Sequence, residues 1–433
     1  MTQAIKFIFS IFLTTSLLFA QDPEVLLSTG ESQLTSGDIE GAEASFNSSL
    51  QIDPSFAPAI QALSKLYLYK GDLKKANEFS IQAVQADEDF RDWANQITKI
   101  TEHIQNGNRN VQQGLFDEAI KEYDAIAQAH PYYPDAEFYK GLSRFRQKNL
   151  EGAAQYFSNA LKIYPAHRKA RKGLDNVTKQ FLNAGNKSYK RGNLGLATDY
   201  YEKALEYDPE FYLAYFQLGV LEKKQGNSRE AIRHLNKVLE LKPDHDKTWF
   251  TLGTAYESDR ENDDAIVHYN KAIEINPGYS KAYGNLGKLH TEKQDFKLAE
   301  DILKTVTQID LNYADGFMLL GVLYIELEKY ELAVDNLAVA TSLDEKDYYK
   351  YFNLASALNQ TKQFDKAAKA AQASVDLKRT FGGGWLELGL AELGRKNKTR
   401  ARKHFEEAKK DRAWREMAER KIDEILNPEK YEK

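Results

Sequence analysis

With 433 residues, 28% of them charged and 42% hydrophobic, the chain is long enough for two or three ordinary globular domains. Its net charge of −5 argues against general nucleic-acid binding, which relies on Lys and Arg to neutralise phosphates. The complete lack of cysteine excludes structural disulfides, thiolate metal sites, a cysteine nucleophile and the lipidated cysteine of a bacterial lipoprotein.

Residues 1–20 hold a single charge, Lys6, followed by an apolar run from Phe7 to Ala20 that Thr14, Thr15 and Ser16 soften. The run is shorter than the roughly 20 apolar residues a membrane span needs, and polar sequence follows at once. It reads as a signal peptide cleaved after Ala20. The expectation is an exported protein, periplasmic or secreted, with no integral membrane segment after cleavage.

From Pro23 onward a 34-residue beat takes over. The stretch Asp246 to Tyr279 shows it most plainly: Trp249, Leu252, Gly253 and Tyr256 stand at unit positions 4, 7, 8 and 11, and Ala265, Tyr269, Ala272 and Pro277 at 20, 24, 27 and 32. Eleven units start at Pro23, Ala57, Ile100, Pro134, Thr178, Tyr212, Asp246, Ser280, Ala314, Tyr348 and Gly382. Position 20 is Ala in every one, from Ala42 through Ala231, Ala265 and Ala299 to Ala401. Position 8 is Gly in nine, with Ser64 and Ala355 as small stand-ins. Two amphipathic helices per unit follow from this spacing. Positions 8 and 20 are expected to face each other where the pair crosses closely, with larger residues at 4, 7, 11 and 24 around them. Gly37, Gly71, Gly114, Gly192 and Gly226 at position 15 end the first helix, and prolines such as Pro54, Pro243 and Pro277 at position 32 stop the second.

This pattern resembles the tetratricopeptide repeat. The resemblance implies an all-α fold, a right-handed superhelical α-solenoid of helix hairpins in which each unit packs on its neighbours. Two insertions interrupt the beat, Arg91 to Lys99 and Arg168 to Val177, and both read as extra turns ahead of a first helix. The expected layout is residues 21–90 for two units, 91–167 for an extension with two more, 168–415 for an extension with seven, and 416–433 for a cap and tail. Trp414, Met417, Ala418, Ile422, Ile425 and Leu426 form the apolar face of that cap. Phe381-Gly382-Gly383-Gly384 reads as a flexible joint between units.

No catalytic constellation emerges. The eight histidines fall in different units without paired metal spacing, and there is no glycine-rich phosphate loop or nucleophile elbow. The expectation is a non-enzyme without cofactor or metal. In the family the chain resembles, first helices line a groove that takes a peptide or a partner helix. Carried over, position 6 gives Asn183, Gln217, Thr251, Asn285 and Asn353, an asparagine ladder broken at Leu319 and Glu387, suited to gripping a peptide backbone. Beside it stand Asn186, the lysines Lys247, Lys281 and Lys288, and Phe250, Met318, Tyr349 and Phe352 as apolar anchors. The carboxylate clamp of chaperone-binding members is matched only at Asn186 and Lys247. The run from Arg395 to Lys421, with twelve basic and five acidic residues, reads chiefly as a solvated face. The expected partner is a protein or peptide, in bacterial envelope or periplasmic complex assembly. The alternatives are an accessory subunit holding substrate for an envelope enzyme or secretion system, and a lumenal co-chaperone. For the last, the HPD triplet of a J domain is missing, and His130-Pro131-Tyr132 is the nearest approach.

Overall fold

A computed structural model of the chain describes residues 22–431. The expected signal peptide and its cleavage point lie outside the described residues. What is described is an all-helical array of hairpins. In chain order the hairpins are α1 (Pro23–Ser36) with α2 (Ile39–Ile52), α3 (Ala57–Tyr69) with α4 (Leu73–Ala86), α5 (Arg91–Gln112) with α6 (Phe116–Ala129), and α7 (Pro134–Arg146) with α8 (Leu150–Ile163). Next come α9 (Arg168–Lys190) with α10 (Leu194–Tyr207), α11 (Tyr212–Gln225) with α12 (Ser228–Leu241), and α13 (Asp246–Ser258) with α14 (Asn262–Ile275). The series closes with α15 (Ser280–Glu292) and α16 (Phe296–Ile309), α17 (Ala314–Glu326) and α18 (Tyr330–Leu343), α19 (Tyr348–Gln360) and α20 (Phe364–Leu377), α21 (Gly382–Gly394) and α22 (Lys398–Ala408), and a single last helix, α23 (Arg415–Leu426). Two compact units divide the chain, the first ending at Gln217 and the second beginning at Leu218.

Odd-numbered helices open each hairpin and even-numbered ones close it. The turn between them follows from local chemistry. In five hairpins position 15 is a glycine with φ between 75° and 87°, a left-handed residue whose N–H reaches back to the carbonyls of the first helix. The next residue caps the second helix: Asp38 Oδ1 accepts the Gly41 N–H at 2.9 Å, and Asn149 Oδ1 accepts that of Gly152 at 2.9 Å. Six other hairpins place Lys148, Arg260, Gln294, Glu328, Lys362 and Lys396 in the same left-handed conformation, with φ of 56–63°. The turn geometry is therefore fixed by packing and not by glycine alone.

All eleven position-20 alanines are fully buried. The partner of the position-8 glycine, however, is the side chain at position 24. A Cβ on Gly253 would sit 2.5 Å from Tyr269 Cε1, and one on Gly287 would sit 2.6 Å from Leu303 Cγ. The same relation joins Gly30 to Phe46, Gly107 to Tyr123, Gly141 to Phe157, Gly185 to Tyr201, Gly219 to Leu235, Gly321 to Leu337 and Gly389 to Phe405. This corrects the expected pairing of positions 8 and 20. A glycine is required because a whole ring or isobutyl group lies flat on the first helix at that point. Where position 24 is small, position 8 is not glycine. Ser64 stands with Ser80, and Ala355 with Ala371, all fully buried. In the Ser64 hairpin the missing ring is replaced from outside: Trp93 of α5 is buried and its indole N–H donates to Ser64 Oγ at 2.8 Å, while Ser64 donates to the Ala76 carbonyl at 2.6 Å.

The two insertions make α5 and α9 continuous helices of 22 and 23 residues. Residues Gly382 to Gly384 are not a flexible joint. They are the buried first turn of α21, and a Cβ on Gly382 would fall 2.6 Å from Asp411 Cβ and 2.8 Å from the Ala408 carbonyl. The glycines admit the following segment against the helix start. The cap is also narrower than its sequence face suggests: Ala418 and Ile422 are buried, whereas Met417 and Leu426 are each 50% exposed. Trp414 precedes α23, packs with Ile425 against the core of the cap, and also meets the Phe352 ring of α19 at 5.4 Å.

Candidate functional site

In the second unit the first helices α15, α17, α19 and α21 approach one another in turn, as α1 does α3 and α7 does α9 in the first unit, whereas the second helices stand further apart. First helices thus form a layer whose outer face is the candidate groove. At position 5 of these helices the side chain meets the residue at position 34 of the same hairpin. Phe250 lies 4.9 Å from the Tyr279 ring centroid and 5.7 Å from that of Tyr269, and Phe352 lies 5.2 Å from Phe381. Met318 is half-buried in the cluster built on Leu320 and Tyr324. These anchors are therefore partly spent on joining neighbouring hairpins.

The asparagine ladder does not stand as a row of open amides, a correction to the sequence expectation. Asn183 is exposed and Gln217 half-buried. Thr251 is buried and donates to the Lys247 carbonyl at 2.7 Å. Asn285 donates to the Tyr269 hydroxyl at 3.0 Å. Asn353 is buried and donates to the Tyr349 carbonyl at 2.9 Å, one turn back on its own helix. Asn186 accepts from the Tyr201 hydroxyl at 2.9 Å, just as Asn108 accepts from Tyr123 at 3.0 Å. The buried tyrosine at position 24 carries a hydroxyl that reaches the groove side and must be satisfied there. That demand consumes the amides. Its sequence signal is a Tyr at position 24 with Asn at position 9.

Glu387, the break in the ladder, is also buried. Its carboxylate accepts from Asn359 Nδ2 at 2.7 Å. Burial pushes its pKa up to about 7, against hydrogen bonds from Asn359 and Ser356 that act to lower it. Nearby, Lys350 is 2% exposed and ion-paired with Asp347 at 2.7 Å, Asp315 at 2.8 Å and Asp344 at 3.1 Å. Burial alone would lower its pKa, but three carboxylates hold it above that of free lysine. Both groups tie α19 to its neighbours.

What remains accessible is a mixed strip in the second unit. Lys247 and Lys281 are exposed and form no ion pair among the described residues. Lys288 is exposed but bound to Glu257 at 2.9 Å. Toward the C-terminus an aromatic shelf takes over. Tyr349 is 43% exposed and 5.6 Å from Phe352, and Phe352 is flanked by Trp414 at 5.4 Å. Trp414 was not foreseen here; glycines at 382 and 383 are the signal that something large lies over α21.

In the first unit the groove side is engaged by the chain itself. The Tyr69 hydroxyl donates to the Ile163 carbonyl at 3.0 Å, and the Tyr69 ring lies 5.3 Å from Tyr164. Gly71 abuts the buried His167, whose Nε2 donates to the equally buried Asp135 at 2.7 Å. Nδ1 of His167 accepts the Ala170 N–H at 3.1 Å, which fixes the tautomer. Among the described residues no group of His, Cys, Asp or Glu is arranged to hold a metal, and no helix is long and apolar enough to cross a membrane. His268 donates to the Asp264 carbonyl and lies against Trp249 and Tyr256.

Residues 104–168, 200–233, 246–279, 280–313, 314–347 and 351–381 match family models described as tetratricopeptide repeat. A stretch of 98 residues is 34% identical to DnaJ homolog subfamily C member 7 of Homo sapiens, covering 22% of this chain and 20% of that protein. The Mus musculus protein of the same name is 38% identical over 77 residues, 17% of this chain and 16% of that one. The chain thus aligns with a fifth or less of these relatives. Among solved structures, that of the APC/C hetero-tetramer Cut9–Hcn1 is 14% identical, covers 96% of this chain and 99% of that one, and gives a TM-score of 0.47. A tetratricopeptide repeat protein from Parabacteroides merdae is 17% identical over 58% of this chain and 99% of its own, with a TM-score of 0.43. These are likenesses between helical repeat arrays.

Proposed function

The chain belongs to the tetratricopeptide-repeat family, and from that membership we propose that it is a non-enzymatic scaffold whose first helices hold a protein or peptide partner. The observation that carries this reading is the strip on the second unit. Lys247 and Lys281, without an ion pair among the described residues, lead to an aromatic shelf where Tyr349 is 43% exposed and packs on Phe352, which Trp414 flanks. Tyr and Trp are among the side chains that contribute most per residue to protein interfaces, and the lysines add attraction for an acidic segment. Because the hairpins are already folded and the glycine contacts lock them, the ordering cost of binding falls on the partner segment. The partner that fits carries an apolar or aromatic anchor for the shelf and an acidic stretch for the lysines. The site of action in this reading is outside the cytosol, in a bacterial envelope or periplasm, on the strength of residues 1–20 and the lack of cysteine.

The test is affinity capture from an envelope extract with the wild-type chain and with a Lys247→Glu, Lys281→Glu, Tyr349→Ala variant. Loss of one captured protein from the variant is the expected result. Capture that is unchanged sinks the groove assignment. Export is checked separately by fractionation and N-terminal sequencing: a mature chain starting at Gln21 is expected, and a cytosolic chain starting at Met1 overturns it.

A further inference from the structure

The side of the second unit opposite to that strip carries a cleft of its own. Its walls are α20 and α22, its floor is α21, and its volume is about 980 Å³. The cleft exists because first helices pack closely while the second helices α20 and α22 do not, and Ala368 and Ala373 leave the wall low. Its charges are unevenly satisfied. Of the acidic groups, Asp365 is paired with Arg395 at 3.1 Å and Glu392 through one oxygen with Arg395 at 2.9 Å, while Asp376 accepts from the Gln372 amide at 2.8 Å and keeps its charge. Three cations have no such pairing. Lys369 on one wall and Arg400 and Lys403 on the other are exposed and form no ion pair among the described residues.

We propose that this cleft is a second docking site and that its occupant is an acidic peptide segment of a partner protein. The three unpaired cations face one another across a concave channel and attract carboxylates from both sides. A bilayer presents a flat anionic surface and reaches only one wall at a time, whereas an inserted chain reaches both. A second observation favours a peptide over a bare anion. Glu392 is 4% exposed at the floor, and its Oε2 has no hydrogen-bond partner. A buried carboxylate oxygen left unpaired is costly. A backbone N–H supplies the missing donor once the Glu392 side chain turns toward the cleft it lines, while sulfate supplies none. The ligand that satisfies floor and walls together therefore carries both N–H groups and negative side chains.

The experiment uses the full chain and a fluorescein-labelled peptide, Asp-Glu-Leu-Glu-Asp-Leu-Glu-Glu, with fluorescence anisotropy as readout. The Asn/Gln counterpart of that peptide and vesicles containing phosphatidylserine serve as comparison ligands. Binding of the acidic peptide that weakens with salt, and that drops about tenfold in a Lys369→Ala, Arg400→Ala, Lys403→Ala variant, is expected from three surface ion contacts. Because the groove reading also favours an acidic segment with apolar anchors, the cleft substitutions are compared on the full chain carrying Lys247→Glu, Lys281→Glu and Tyr349→Ala, so that the binding measured is that of the cleft alone. Equal affinity in the triple cleft variant overturns the proposal. So does binding of the vesicles without binding of the peptide, or equal binding of the uncharged peptide.

Discussion

At the scale of single residues, the array is held by a contact between a glycine and a ring. Gly253 has no side chain because Tyr269 occupies that space at full burial. Gly253→Ala should therefore lower stability by about 1–2 kcal/mol, overpacking outweighing the roughly 1 kcal/mol that Ala gains in helix propensity. Gly195 is the control, since a Cβ there meets nothing within 4 Å, and Gly195→Ala should be neutral or stabilising in the same urea titration. Glu387 gives a test of a different kind. Its folded pKa of about 7 lies above the ordinary 4.5, so the folded chain keeps a proton that the unfolded chain releases. Stability from this group is complete at low pH and falls as pH rises from about 4.5 to about 7, by on the order of 3 kcal/mol. Glu387→Gln should flatten the pH dependence of the melting temperature over that window and leave the variant more stable than wild type at pH 8. Parallel slopes for the two proteins would refute the assignment.

At the scale of elements, the turn inside each hairpin shows where local preference and packing part company. Glycine at Gly226, with φ of 86°, accepts a left-handed backbone without strain, whereas Arg260 adopts φ of 63° at the equivalent place. A non-glycine residue there costs on the order of 1 kcal/mol. Arg260→Gly is thus expected to raise stability by up to about 1 kcal/mol, and Gly226→Ala to lower it by a similar amount, measured by chemical denaturation. The five glycine turns and the proline stops were legible in the sequence because they depend on residues a few positions away, whereas the six left-handed turns at residues such as Arg260 carry no glycine to announce them. The start of α21 was not legible either. Its three glycines resemble a joint until Asp411 and Trp414, some 30 residues on, are seen pressed against them.

At the scale of the whole molecule, a repeat array couples each hairpin mainly to its neighbours. Phe405→Ala should therefore speed amide hydrogen exchange in α21 to α23 and leave α1 to α4 unchanged. The first unit departs from that rule, because Tyr69 and Gly71 of the second hairpin touch Ile163 and His167 at the end of the fourth unit. His167→Ala is expected to lower protection in α3 as well as in α9, and protection lost in α9 alone would show that the long-range contact carries no energy.

The sequence by itself determined the helical period, the hairpin, the eleven registers and the buried alanine seam, since all of these are set by short spacings that recur. It also contained the rule that glycine at position 8 accompanies a large residue at position 24, visible in Ser64 with Ser80 and Ala355 with Ala371. Only the tertiary structure decided which groove residues are open. Asn285 and Asn353 face the groove by register, but buried tyrosine hydroxyls and backbone carbonyls claim their amides. The reason is that a buried polar group must be satisfied by whatever lies within about 3 Å, and that neighbour comes from another helix or another turn, which spacing along the chain does not specify.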